Sequence, residues 1–210
     1  MSEERPGWHR HPNGGGWVED TATVDETAYV GPDARVFETA RVSGSAWVYG
    51  TARVCGAAEV SGTARVSGTA EVSGAAEVSG NAEVFGAARV SETARVSGDA
   101  EVYGNARVSG TAEVSGDAEV SGNAEVFGAA QVSAPRHVLT VGPIGSEDQT
   151  LTLFRAETGY WVSVGCWHPD GATLDDLTAE VQRRAPDHAD EYAAAEALLR
   201  LRINEWEQER

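Results

Sequence analysis

Five histidines and two cysteines are the side chains here best suited to acid–base, nucleophilic or metal chemistry: His9, His11, His137, His168, His188, Cys55 and Cys166. Two cysteines cannot build a disulfide framework or a thiolate metal cage. Lysine is absent, which removes Schiff-base and lysine-nucleophile chemistry. Cys166-Trp167-His168 would form a Cys–His dyad if the two side chains met, since residues two apart on a strand share a face. The plainer reading is a strand end. Gly142-Pro143-Ile144-Gly145-Ser146 would cradle an anion on backbone N–H groups, but it lacks a phosphate-loop lysine and reads more simply as a tight turn. His137, Ser146, Cys166 and His168 are therefore the weak binding candidates of the C-terminal part. Trp8-His9-Arg10-His11 reads as an adventitious metal site or, more plainly, as an end cap. No catalytic set, resident metal or cofactor is expected.

The elements that must position these residues are dominated by one period. Twenty valines stand six residues apart, from Val18 to Val132, and alanine precedes nineteen of them by two places. So short and regular a period marks a solenoid, whose repeat buries nothing until neighbours stack on it. Valine then points inward and the residues on either side of it point outward. Glycine two places after valine serves a turn that needs positive φ or close approach. With three six-residue sides per coil, residues 18 apart stack. Residues 17–134 then make about six and a half coils, a prism roughly 30 Å long at ~4.8 Å per strand spacing.

Val-x-x-x-Ala-x, as in Val60-Ser61-Gly62-Thr63-Ala64-Arg65, resembles the hexapeptide repeat of left-handed parallel β-helix proteins, the scaffold of bacterial acyltransferases and gamma-type carbonic anhydrases. Gly14-Gly15-Gly16-Trp17-Val18 likewise resembles the helix entry of some bacterial hexapeptide proteins. The resemblance covers residues 17–134 and implies the left-handed coil sense. The enzymes of that group keep catalytic or metal-binding histidines on the coils, often with loops that interrupt the repeat. Here no histidine lies between Val18 and Val132 and no insertion breaks the register. Histidine-dependent acyl transfer or a three-histidine zinc site has no residues to carry it on these coils.

Stacking at 18 sorts the outward residues into three faces. The face built on Val24 shows Asp25, then Ser43, Ser61, Ser79, Ser97 and Ser115, with no aromatic residue. The face built on Val30 shows Tyr29, Trp47, Tyr49, Phe85 and Tyr103 among Arg65, Glu83, Glu101 and Glu119. The face built on Val18 shows Trp17, Phe37 and Phe127, with Cys55 between. Aromatics with arginine on a surface otherwise made of serine are the make-up of a contact patch, although aromatics also suit strands for their own sake. The five aromatics of the Val30 face are the candidate interface. In the resembling enzymes a prism face commonly makes a trimer, so a homo-oligomer, dimer or trimer, is the first partner expected, with another protein as the alternative.

The period ends at Ala134-Pro135. Residues 137–141, 150–154 and 160–164 read as strands, with a turn at 157–159. A helix is predicted from Thr173, with Leu174, Leu177 and Val181 as its apolar stripe, stopping before Pro186. A second, capped near Asp187, runs toward Trp206. The fold class is thus mainly β: a left-handed parallel β-helix, then a small α+β domain. The expected division is an N-terminal cap segment (1–16), the β-helix (17–134) and a C-terminal capping domain (135–210). An open solenoid end exposes strand edges and apolar core, and the two flanking segments stand where they would close both ends.

The formal net charge of −17 argues against nucleic acid or an anionic membrane as partner, since both need a basic footprint. Met1–Gly16 is polar and no stretch approaches 18 apolar residues, so a cytoplasmic protein with free thiols is expected. The function expected is a non-enzymatic scaffold or protein-interaction module that self-associates through its aromatic face. The rival is a small-ligand-binding protein or enzyme, its site at a subunit interface or in the C-terminal domain.

Overall fold

A computed structural model of the chain describes residues 5–145 and 147–208. From Trp17 to Val132 the backbone is a parallel β-solenoid of about six turns, in which every strand pairs with the strand 18 residues on. Val18 lies beside Val36, Val24 beside Val42 and Val30 beside Val48. The strands form three sheets, one per prism face.

The inside of the prism is narrow, and the sequence fills it with small side chains. Every repeat valine from Val30 to Val132 is at most 1 % exposed. The alanine two places before each valine has the same strand parity, and from Ala28 to Ala130 it too is buried. Valine and alanine therefore share the core, with no room left for a larger residue between the coils.

The corners require a left-handed backbone conformation. Glycine two places after valine takes φ near +70°, as at Gly62 (+71°) and Gly80 (+70°). A Cβ at Gly68 would lie 2.7 Å from the Gly86 carbonyl oxygen. Glu38 and Glu92 occupy the same corner position at φ +60° and +61°. Each carboxylate accepts the N–H of the glycine one coil later, Gly56 at 2.6 Å and Gly110 at 2.8 Å. Threonines at the next position donate to the carbonyl of the following coil, as Thr63 Oγ1 does to Gly80 (3.0 Å).

Both ends of the solenoid carry segments of a different kind. At the start, a strand Trp8–Arg10 pairs antiparallel with Trp17–Glu19. The loop between them lies on the first coil, where Asn13 O accepts from Val30 N (3.0 Å) and Gly16 N donates to Val30 O (2.8 Å). His11 is buried in this loop. At the far end, the strands Val138–Ile144, Gln149–Arg155 and Tyr160–Val164 form an antiparallel sheet with Gln149–Arg155 in the middle. That central strand faces two ways. Phe154, fully buried, joins the valine core, and the Thr152 hydroxyl accepts the Glu125 N–H (3.3 Å). Leu151 and Leu153 belong instead to a second core with helices α1 (Leu174–Arg184) and α2 (Ala189–Gln208).

Helix α1 starts where predicted, with Thr173 and Asp176 closing a capping box. The hydrogen bond from Thr173 holds the Asp176 carboxyl below its usual range. Two readings need correction. Gly142-Pro143-Ile144 is not turn but strand, beyond a register shift after Val141. This is an edge strand, where proline's missing N–H costs no ladder bond, and the chain turns only at Gly145. His137 closes a 3-10 turn, Pro135–His137, so the strand begins at Val138.

The corners yield a paired test. Gly122 has φ +65° with nothing within 4 Å of an added Cβ, whereas Gly68 has φ +69° and the close carbonyl. Gly122→Ala should cost about 1 kcal/mol, the left-handed penalty alone, and Gly68→Ala distinctly more. Urea denaturation midpoints of the two variants measure the difference.

Candidate functional site

The structure brings the five aromatic candidates of the Val30 face together as two groups. Tyr29 and Trp47 are neighbours in the ladder, rings 4.7 Å apart and tilted by 32°. With Tyr49 and Arg65 they frame a shallow depression of about 400 Å³. Gly31 lies beside Tyr49, where even a Cβ would come within 3.1 Å of the tyrosine Cβ. Further along, Phe85 and Tyr103 stack at 4.8 Å and 5°. Trp47 is 48 % and Tyr49 39 % exposed. Charge is ordered along the same face. Arg65 binds Glu83 at 2.6 Å, and Glu83, Glu101 and Glu119 follow one another in register. The Tyr103 hydroxyl donates to Glu119, which pushes the phenol above its ordinary range.

The aromatics of the Val18 face have a different fate. Trp17 lies under the Arg10 guanidinium (3.9 Å to the ring centre), and Phe37 lies against Trp8 (6.0 Å). Phe127 is 9 % exposed, covered by Phe154, Trp161 and His168. The terminal segments pack on these three, whereas on the Val30 face Trp47 and Tyr49 stay exposed.

The C-terminal candidates do not form one site. Ser146 lies outside the described residues. Cys166 is exposed in the tight turn that returns Trp167 to Val164, beside a small pocket that includes Glu147, Glu180 and Tyr192. His168 turns the other way, its ring 5.4 Å from Phe127. No hydrogen bond joins Cys166 to His168 among the described residues. Because the pair sits in a turn and its exit, two-residue spacing does not place both side chains on one face. Among the described residues no three His, Cys, Asp or Glu side chains are grouped to hold a metal ion. His9 is tied to Asp20 at 3.1 Å and His11 to the Asn13 carbonyl at 3.1 Å, so both serve the N-terminal segment.

His137 is the exception. It is buried beside a cavity of about 610 Å³ between the end of the solenoid, the 155–160 hairpin and the end of α2. Its Nδ1 lies 3.3 Å from the Ser133 hydroxyl and its Nε2 3.0 Å from Arg155 Nη1. A guanidinium only donates, so Nε2 accepts and the Nδ1–H donates to Ser133 Oγ. Arg155, Tyr160 and Trp206 line this cavity and were not singled out from the sequence. Their convergence depends on how the hairpin docks on the last coil, which no local pattern announces.

The two cysteines differ in exposure, Cys55 buried and Cys166 exposed. Burial, then the nearby Glu71 and Glu38, pushes the Cys55 thiol up, which lowers its thiolate fraction at neutral pH. A chromogenic disulfide reagent should therefore label one thiol quickly in the folded protein, and Cys166→Ser should remove that fast phase. A fast phase that survives in Cys166→Ser would contradict the burial of Cys55.

No helix among the described residues is long and apolar enough to cross a membrane. Set against known protein families, curated proteins and solved structures, the chain matches none of them.

Proposed function

We propose that this protein is a non-enzymatic scaffold, a left-handed β-helix akin to the bacterial hexapeptide-repeat proteins, that pairs with a second copy of itself through the Val30 face in the cytoplasm. The supporting observation is the uneven covering of aromatic side chains. Those of the Val18 face are covered by the chain's own terminal segments, while Trp47 and Tyr49 stand 48 % and 39 % exposed on the Val30 face. An exposed aromatic cluster rimmed by ordered charge is the composition of an interface core.

The layout of that face is self-complementary. Consider two copies laid face to face with opposed coil directions and a two-fold axis between the Arg65 and Glu83 coils. Arg65 then comes opposite the partner's Glu83, Trp47 opposite the partner's Glu101, and Tyr49 opposite the partner's Tyr103. Tyr29, Trp47, Tyr49 and Tyr103 each meet an aromatic or an acidic residue, and the row Glu83–Glu101–Glu119 lies away from its own image. A closed two-fold pair of this kind has no tendency to extend.

Trp47→Arg and Tyr103→Arg should each turn the pair into a monomer without unfolding it, because both side chains point outward. Ser61→Arg, on the aromatic-free Val24 face, should leave the pair intact. Light scattering after size exclusion reads the mass and circular dichroism the fold. Loss of association in Ser61→Arg, or its survival in both aromatic variants, would reject the Val30 face as the interface.

A further inference from the structure

The cavity at the junction of solenoid and C-terminal domain has the make-up of a small-molecule site, independent of the Val30 face. Its volume, about 610 Å³, falls in the range of such sites, roughly 300–1,000 Å³. Its walls come from three places far apart in sequence: Gln131, Val132 and Ser133 at the end of the solenoid, Arg155 to Tyr160 on the hairpin, and Ile203, Trp206 and Glu207 on α2.

The central group is Arg155. It follows the alternation of Leu151 and Leu153, so it projects to the helix side of the sheet, and Tyr160 is its cross-strand neighbour. It is half-buried, and among the described residues it makes no ion pair with a carboxylate. One N–H is committed to His137 Nε2 at 3.0 Å. His137 is in turn fixed by donating from Nδ1 to the Ser133 hydroxyl (3.3 Å) and by an edge-on contact with Trp206 (6.3 Å, 88°). The guanidinium is thus held in one orientation, and its remaining N–H groups suit a carboxylate. Glu157 and Glu207, both exposed, stand at the same cavity without an ion pair among the described residues. Glu113 is also there but already shared with Arg95 (3.4 Å).

A cation held inside a ring of carboxylates, in a chain of net charge −17, suits neither a simple anion nor a simple cation. A free anion would be drawn to Arg155 and repelled by the glutamates; an amine would meet the reverse. A molecule that carries both charges satisfies both. Tyr160, Ile203 and Trp206 add apolar wall. We propose that this cavity binds an amino-acid-like zwitterion with an apolar side chain. Its carboxylate would lie on Arg155, its ammonium toward Glu157 and Glu207, and its side chain against Tyr160. His137 acts here as a positioning residue for Arg155.

Isothermal titration calorimetry of the full chain with L-phenylalanine, 3-phenylpropionate and 2-phenylethylamine tests this. L-phenylalanine should bind, and each analogue, which lacks one charge, should bind at least tenfold more weakly. Arg155→Gln should weaken L-phenylalanine at least tenfold and Glu157→Gln by a smaller factor. Should Arg155→Gln fail to fold, Thr158→Trp provides the alternative. Thr158 is an exposed residue of the lining turn, so the bulky side chain should block the cavity with the thermal melt unchanged. The proposal is overturned by absence of binding at millimolar L-phenylalanine, by analogues that bind as well as it does, or by unaltered binding in Arg155→Gln or Thr158→Trp.

Discussion

The stacking of each valine on the valine 18 residues away is the interaction on which the rest of this structure depends. Val66, for example, lies in register between Val48 and Val84 and is fully buried. Burial of a valine contributes about 1.5–3 kcal/mol, and a one-residue slip would put the whole series on the surface. Period six is therefore a strict condition. A side chain larger than valine or alanine inside, or a Cβ at the wrong corner, disturbs the coil on either side as well as its own. The two glutamates at corner positions, Glu38 and Glu92, show how the rule is relaxed: each offsets a strained backbone by binding the next coil's glycine N–H.

Strict stacking leaves the ends as the weak points. Each would present unpaired strand edges and an open valine–alanine core, a template for end-to-end growth. The chain answers with a hairpin loop at the start and with Phe154 at the finish, whose ring completes the core beyond the last valines. The central strand of the C-terminal sheet thus belongs to two cores at once, with Thr152 and Phe154 toward the coils and Leu151 and Leu153 toward the helices. With the ends occupied, the prism faces are left open, and the exposed aromatic side chains Trp47 and Tyr49 stand on the Val30 face.

Much of this was legible in the sequence because it is periodic. The register of the valines, the sorting of outward residues into three faces and the mainly β solenoid followed by a small α+β region all follow from spacing alone. The start of the first helix at Thr173 was equally plain. What spacing could not show is which aromatics the ends would cover. Phe127 meets Phe154 and Phe37 meets Trp8 through docking of non-repeating segments. The same holds for Arg155, an ordinary strand-end arginine until the hairpin docks and brings it to His137. Gly142-Pro143-Ile144 misled for a local reason, since turn-forming residues also fit a bulged edge strand.

The central claim is that a solenoid closed at both ends associates through one face into a discrete pair. Sedimentation velocity of the unaltered protein over a wide concentration range tests it most directly. The account predicts a single reversible step from the 22.1 kDa chain to a species of twice that mass, with nothing larger at any concentration. A monomer throughout, or an open-ended series of larger species, would contradict it.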